Sequence, residues 1–329
     1  MLSSSGFMGR VVRYFRRTLR RSPQPSWRTI EPMEPRTLLS AAVEPYLLAE
    51  AQASSDSAAV SFSSLASRAA PAPKAQVAAS MLASPIIIDH RWVTSAARLP
   101  QSTMDLLAAR DSFFFAHASV GGDIVSGLYA LHQSAPRRYK LIIASDDATP
   151  PPAVRKGRVY EFDRGNPSWQ RKVDDFKTYL AKGWGTRAGV LINKFCYIDP
   201  GVTLQYYAVS NRKRSAMSQL EQKYPAAKFV YTTIPLTTEN GGDNIARNQF
   251  NSALRAFAAA NNKILWDIAD IEAWSPKGVQ STFRSGGKTC QKMYAGYTTD
   301  GGHPNAAGAR RLALAFYNLA AAVVSSGLA

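Results

Sequence analysis

Two short segments, far apart in the chain, hold the side chains best suited to covalent chemistry. The first contains Ser119, which follows the apolar run 112–116 and precedes Gly121 and Gly122. A serine at a strand-to-helix turn presents its hydroxyl at the sheet edge, beside helix N-terminal amides that can stabilise an oxyanion. The alternative is a serine that caps the helix, with glycines that permit the turn. Ser119 is therefore a candidate nucleophile.

The second segment contains Asp300 and His303, separated by two glycines and followed by Pro304 at a predicted helix start. This pattern predicts a tight loop that presents both side chains together. A carboxylate three residues before a histidine can orient the imidazole and leave its other nitrogen free to accept a serine proton. The alternative is an acidic turn with an incidental histidine. Taken with Ser119, the segment predicts an activated serine, and we expect neither a cofactor nor a metal.

The elements that must position these residues follow an alternating pattern. Short apolar runs alternate with segments of helical period, which indicates a parallel sheet flanked by helices. In such sheets, ligands bind at the carboxyl ends of the strands, where Ser119 lies. The predicted strands are 112–116, 140–144, 189–195, 228–234 and 263–268, and the predicted helices are 122–133, 169–182, 215–223, 244–260 and 304–325.

Ser119 followed by glycines, with a late Asp-x-x-His-Pro-Asn before the last helix, resembles the SGNH/GDSL hydrolases over about residues 113–314. The resemblance implies a three-layer α/β/α flavodoxin-like fold with a mostly parallel five-stranded sheet. It also implies a carboxylic ester hydrolase, often an acetylesterase acting on carbohydrate. Ser119 would then be the nucleophile, His303 the general base and Asp300 its orienting carboxylate.

Other family positions are matched less well. Gly165 is the counterpart of the glycine whose amide stabilises the oxyanion, although Gly-Asn-Pro also reads as an ordinary turn. Where the family has Gly-x-Asn-Asp, this chain has Asn193 and Lys194. Asn193 could donate its amide to the oxyanion, or Lys194 could lie at the rim of the site and polarise the substrate carbonyl. His117 and Ala118 replace the usual Gly-Asp before the serine. His117 is either a substrate contact or a buried structural histidine.

The remaining candidates lie in loops at the same predicted edge. Asn166 and Glu239 are candidate substrate-binding residues. Cys196 and Cys290 form either a disulfide, if the protein is exported, or two buried thiols. The other two histidines have no carboxylate at a useful spacing and receive no role. Three acids could support the His303 loop or form a solvated turn: Asp267, Asp270 and Glu272.

Composition limits the class of protein. Of the 329 residues, 46% are hydrophobic, which is enough for a sizeable core, while two cysteines and four histidines exclude a zinc framework. The net charge is +17, of which +12 belongs to residues 84–329. This charge favours acidic partners such as anionic polysaccharide. We expect no nucleic-acid partner, because no compact basic helix or aromatic recognition block is visible.

The N-terminal quarter of the chain is predicted to lie outside the folded domain. Residues 1–41 form a basic leader in which residues 33–41 resemble the LEPR-XLL motif of large and exported proteins of planctomycete-like bacteria. Residues 42–83 form a linker rich in Ala, Ser and Pro, and residues 84–329 form the catalytic domain. No segment reads as a transmembrane span. We therefore expect an exported or surface protein of a bacterium.

Together these observations predict a secreted serine esterase that hydrolyses short acyl esters, with acetyl groups on carbohydrate as the expected substrate, through a Ser-His-Asp triad and an acyl-enzyme. Two alternatives remain open. One is a non-catalytic surface carbohydrate-binding protein on a degenerate SGNH scaffold. The other is an acyltransferase that uses the same triad.

Overall fold

The computed structural model describes residues 84–144, 150–208 and 215–326. The predicted leader, 1–41, and linker, 42–83, lie outside the described residues. Nine strands are present in the described part: β1 (Ile86–Ile88), β2 (Phe113–His117), β3 (Ile142–Ala144), β4 (Arg158–Asp163), β5 (Val190–Asn193), β6 (Lys228–Thr232), β7 (Ile264–Trp266), β8 (Thr282–Ser285) and β9 (Lys288–Gln291).

Seven of these strands form one sheet in the order β1-β7-β6-β5-β2-β4-β3, and every pairing within it is parallel. The five predicted strands are confirmed, but the predicted count of five is wrong because β1 and β4 were missed. β1 has only three residues. β4 interrupts its apolar residues with Glu161, which is buried against His117, so it lacks the uniform apolar run on which the prediction relied.

The helices of the described part are α1 (His90–Val93), α2 (Gln101–Arg110), α3 (Val120–Ser134), α4 (Trp169–Tyr179), α5 (Gly185–Arg187), α6 (Leu204–Tyr207), α7 (Ala216–Lys223), α8 (Asp243–Ala260), α9 (Ile268–Ala273) and α10 (Ala306–Ser325). A π-helical turn, Leu180–Trp184, joins α4 to α5, and 3-10 turns occupy Ala96–Arg98 and Ala295–Tyr297. No helix of this part is long and apolar enough to cross a membrane.

The helices cover both faces of the sheet, which confirms the three-layer α/β/α prediction. Side chains alternate between the faces of a strand. Phe113 and Phe115 of β2 accordingly belong to one core, with α3 and α10, and Phe114 belongs to the other, with α4 and α8. β2 is thus buried on both sides, as expected for the interior strand of a parallel sheet.

The position of β2 in the sheet determines where a ligand can bind. β2 pairs with β4 on one side and with β5 on the other. After β2 the chain forms β3 and β4 on one side of it and then crosses to the other side to form β5. Such a switch point leaves a crevice beyond the strand ends. Ser119 follows β2 at this place. The loop with Asp300 and His303 precedes α10, next to a small apolar cluster that includes Leu236, Met293 and Tyr297.

Candidate active site

Ser119 lies at the N-terminus of α3 in a backbone conformation that is rare for a residue with a side chain. Its φ is +52° and its ψ is −111°. The hydroxyl makes no capping bond to the helix and instead lies 2.5 Å from Nε2 of His303. Ser119 therefore occupies the N-cap position of α3, but its side chain does not cap the helix.

The loop before α10 brings Asp300 onto the other nitrogen of His303. Asp300 Oδ2 lies 2.6 Å from His303 Nδ1, and the amides of His303 and Gly302 donate to Asp300 Oδ1 at 2.7 and 2.9 Å. Burial acts to raise the pKa of the Asp300 carboxyl, but these amides and the imidazole together hold that pKa well below its usual range. Asp300 thus remains an anion that orients the ring.

The triad is accessible from solvent. The side chains of His303 and Asp300 are 41% and 53% exposed. Ser119 is half-buried.

The candidate oxyanion donors differ in availability. The Gly165 amide is exposed and donates to Asp163 Oδ1 at 3.0 Å. Asn193 is buried, and its Oδ1 accepts from Arg164 Nη1 at 2.5 Å. Within the described residues, Asn193 Nδ2 is buried with no hydrogen-bond partner. Asn193 also interacts with the Tyr207 phenol, and it pairs with Ala116 of β2 at the carboxyl end of β5.

Lys194 does not lie at the rim, so that prediction is wrong. Strand β5 ends at Asn193 rather than at residue 195, and Lys194 is 1% exposed. Its ammonium donates to the Phe195 carbonyl at 2.8 Å. Burial lowers the pKa of Lys194 to about 8. A cation held in this way in the interior cannot polarise a substrate carbonyl at the surface.

His117 is a structural residue rather than a substrate contact. It is fully buried, and its Nε2 lies 2.8 Å from Glu161 Oε2. Asn166 and Glu239 are exposed on the loops after β4 and β6, where their roles stay predictions. Of the two alternatives for Cys196 and Cys290, the structure has the two buried free thiols and not the disulfide.

Two residues that the sequence reasoning missed lie close to the triad. Tyr197, in the loop after β5, places its hydroxyl 3.5 Å from His303 Nε2. Asp123 lies one helical turn after Ser119, and its carboxyl interacts electrostatically with His303. Burial raises the pKa of Asp123 to about 6. The i, i+4 spacing from Ser119 could have identified Asp123, whereas Tyr197 carries no local signal.

His90 has a carboxylate partner that the sequence did not reveal. Its Nδ1 is in close contact with Asp270 Oδ2, and Trp274 stacks on its ring at 4.1 Å. Ligand atoms of Asp89, His90 and Asp270 lie within 4.8 Å of one another. However, Arg91 already donates to both oxygens of Asp89. We therefore assign no metal to this group.

No family model matches the chain, and no curated protein sequence matches it. Several solved structures are similar to it, and three of them follow. A candidate acylhydrolase from Bacteroides fragilis has 12% identity over 73% of this chain and 96% of its own, with a TM-score of 0.39. A GDSL-like lipase from Bacteroides thetaiotaomicron has 12% identity over 72% and 95%, with a TM-score of 0.35. A catalytic mutant of an acetylxylan esterase from Geobacillus stearothermophilus has 13% identity over 65% and 95%, with a TM-score of 0.38.

Proposed function

We propose that this protein is a serine carboxylic ester hydrolase that removes short acyl groups, acetyl in particular, from carbohydrate. The observation that supports the proposal is the unbroken hydrogen-bond chain from the Ser119 hydroxyl through His303 to Asp300, with contacts of 2.5 and 2.6 Å. A nucleophile, a base and an orienting carboxylate in this order form the arrangement that activates serine for acyl transfer.

In the proposed reaction, Ser119 Oγ attacks the ester carbonyl carbon while His303 Nε2 takes the hydroxyl proton. The bond to the alcohol oxygen then breaks, and Nε2 gives its proton to that oxygen. A water next loses a proton to Nε2 and attacks the acyl-enzyme, and the bond to Ser119 Oγ breaks as Oγ regains a proton. Asp300 stays ionised throughout and stabilises the imidazolium.

The developing oxyanion needs donors beside Ser119. The amide of Ser119 lies one residue before α3, at a helix N-terminus, where backbone N–H groups lack intrahelical acceptors. Asn193 is a second proposed donor because it lies at the carboxyl end of β5, where it pairs with β2 shortly before Ser119. Gly165 would contribute its amide only after release from Asp163.

The substrate class is inferred from exposure and charge. The open triad suits an ester carried on a polymer, and the net charge of +12 on residues 84–329 favours encounter with anionic polysaccharide. An exported or cell-surface bacterial enzyme would meet such a substrate. If an alcohol replaces water as the acceptor, the same triad gives an acyltransferase, which product analysis with added alcohol distinguishes.

The first test is hydrolysis of 4-nitrophenyl esters, from acetyl to octanoyl, by the full chain and by the variants Ser119→Ala and His303→Ala. We expect turnover by the wild type and a loss of at least about 1,000-fold in kcat for each variant, as for other serine triads. Ser126→Ala, at an exposed position on the same helix, should retain full turnover. Equal rates for the wild type and Ser119→Ala would refute the proposal, and glycan binding without turnover would favour a binding protein.

A further inference from the structure

Tyr197 lies against the nitrogen through which all proton transfers of the proposed reaction pass. Its hydroxyl is 3.5 Å from His303 Nε2, and its ring packs edge-to-face on the imidazole with centroids 5.3 Å apart. The same nitrogen lies 2.5 Å from Ser119 Oγ. The phenol and the serine hydroxyl therefore flank one imidazole nitrogen.

Several contacts hold the Tyr197 ring in this position. Arg247, which is 3% exposed, donates to the Tyr197 carbonyl at 2.6 Å, and its guanidinium lies 5.9 Å from the ring centroid. Arg247 is itself fixed by Asn244 Oδ1 at 2.7 Å. On the histidine loop, a β-carbon at Gly302 would lie 3.0 Å from the Tyr197 ring. The phenol is thus pre-positioned, and little side-chain entropy is lost when it binds a ligand.

The Tyr197 hydroxyl is available for such a contact. Within the described residues it makes no hydrogen bond other than the 3.5 Å approach to His303, which is at the outer limit for a hydrogen bond. Burial raises the pKa of Tyr197, so the phenol keeps its proton at neutral pH. A protonated phenol can donate a hydrogen bond to an oxygen that lies beside both the phenol and Nε2.

Two oxygens must occupy this place during the reaction. The leaving alcohol oxygen receives a proton from Nε2 in acylation, and the attacking water gives one to Nε2 in deacylation. Each must come within about 3 Å of Nε2 for the transfer. An oxygen that approaches Nε2 from the side of Tyr197 is then within hydrogen-bond reach of the Tyr197 hydroxyl.

We propose that Tyr197 is a further catalytic residue, whose hydroxyl donates a hydrogen bond to the leaving alcohol oxygen and then to the attacking water. Tyr197 keeps its proton in both steps, so the proton balance between Ser119, His303 and the substrate is unchanged. The hydrogen bond from Tyr197 stabilises the transition state most when the leaving oxygen carries most negative charge, because hydrogen bonds to charged groups are the strongest. This inference rests on the proposed esterase function.

The test compares the full chain with Tyr197→Phe, which keeps the ring and its packing but removes the hydroxyl. The substrates are ethyl acetate, whose leaving oxygen is strongly basic, and 4-nitrophenyl acetate, whose leaving oxygen is weakly basic and needs little help. We expect kcat/KM for ethyl acetate to fall by about 10- to 100-fold, the effect of losing one hydrogen bond to a charged group. For 4-nitrophenyl acetate it should fall by less than about 3-fold.

The control variant is Tyr129→Phe, which removes a hydroxyl from α3 ten residues after Ser119, about 15 Å along the helix. It should leave kcat/KM unchanged for both esters. A fall by the same factor for both esters would assign Tyr197 a purely structural role and overturn the inference. An unchanged kcat/KM for ethyl acetate would also overturn it, while the proposed function would stand. A wild type without any Ser119-dependent turnover would refute the function and this inference together.

Discussion

The backbone of Ser119 is the feature that separates a proposed nucleophile from an ordinary helix cap. A positive φ at a residue with a β-carbon costs about 1–3 kcal/mol and persists only where the surroundings impose it. Here β2 ends at His117 and α3 starts at Val120, so the chain turns within two residues. The strained turn directs the hydroxyl away from the helix amides and towards His303. The conformational cost is therefore linked to the geometry that the proposed chemistry needs.

Asp123 introduces a pH-dependent destabilisation close to the triad. Its Oδ2 is buried without a partner in the described residues, and burial raises the pKa of this carboxyl to about 6, whereas it is about 4 in an unfolded chain. Between these pH values the native state binds a proton that the unfolded state does not. The free energy of unfolding therefore falls as pH rises from about 4 to about 6, and the penalty is complete above pH 6.

Asp123→Asn removes this titration, so we expect the variant to be more stable than the wild type by up to about 3 kcal/mol at pH 7. The difference should disappear near pH 4. Urea unfolding between pH 4 and 8 measures it. Asp243→Asn removes a mostly exposed carboxylate from the first turn of α8 and serves as the matched control. A difference between Asp123→Asn and wild type that does not vary with pH would contradict the assignment.

At the scale of elements, the start of α3 is fixed by the packing of Gly121 on the end of β2. A β-carbon added at Gly121 would lie 2.3 Å from the β-carbon of His117. His117 cannot move aside, because it is fully buried and its Nε2 is bound to Glu161 of β4. The glycine thus lets α3 begin directly above the strand and sets the height of Ser119 relative to the sheet.

We expect Gly121→Ala to lower the free energy of unfolding by about 1–3 kcal/mol through overpacking. Gly122→Ala is a closely matched control, since no atom lies within 4 Å of a β-carbon there. Alanine favours helix by up to about 1 kcal/mol over glycine, so Gly122→Ala should be neutral or stabilising. Urea unfolding of both variants measures the difference. Equal stability of the two would show that the His117 contact is relieved at no cost.

The elements also show how far the sequence could predict the site. Ser119, Asp300 and His303 were identified from local spacing, because a strand-to-helix turn and an i, i+3 pair are local features. Lys194 was predicted at the rim of the site, and this was wrong because a run of mostly apolar residues in the sequence does not show at which residue the strand ends. Tyr197 meets His303 only through the fold, since the two residues are 106 positions apart. Contacts of this kind have no period or motif that a single sequence reveals.

At the scale of the whole molecule, the fold class was predictable, while the extent of the sheet was not. Alternating apolar runs and helical segments were sufficient for a parallel sheet between two helical layers. The edge strand β1 and the strand β4 both depend on neighbouring residues for their stability. β1 pairs along its whole length with β7, and the buried Glu161 of β4 is hydrogen-bonded to His117. A polar residue satisfied by a distant partner cannot be distinguished from a surface residue in a single sequence.

The charge of the whole chain leads to a prediction about substrate preference. A net charge of +17 attracts anionic polymers over about a Debye length, which is about 10 Å at 0.1 M salt and about 3 Å at 1 M. We expect kcat/KM for an acetylated glycan that carries carboxylates to fall several-fold between about 0.02 and 0.5 M NaCl. The value for a neutral acetylated glycan of similar length should stay within about 2-fold. Acetate release measures both.

The neutral glycan is the internal control for effects of salt on the triad itself, since both substrates share the acyl group and Ser119. A salt dependence common to both would place the effect at the active site rather than in encounter. No dependence for either would mean that the positive charge is distributed too evenly to steer a polymer towards the crevice. The difference between the two substrates therefore reports the long-range field alone, because the bond that breaks is the same.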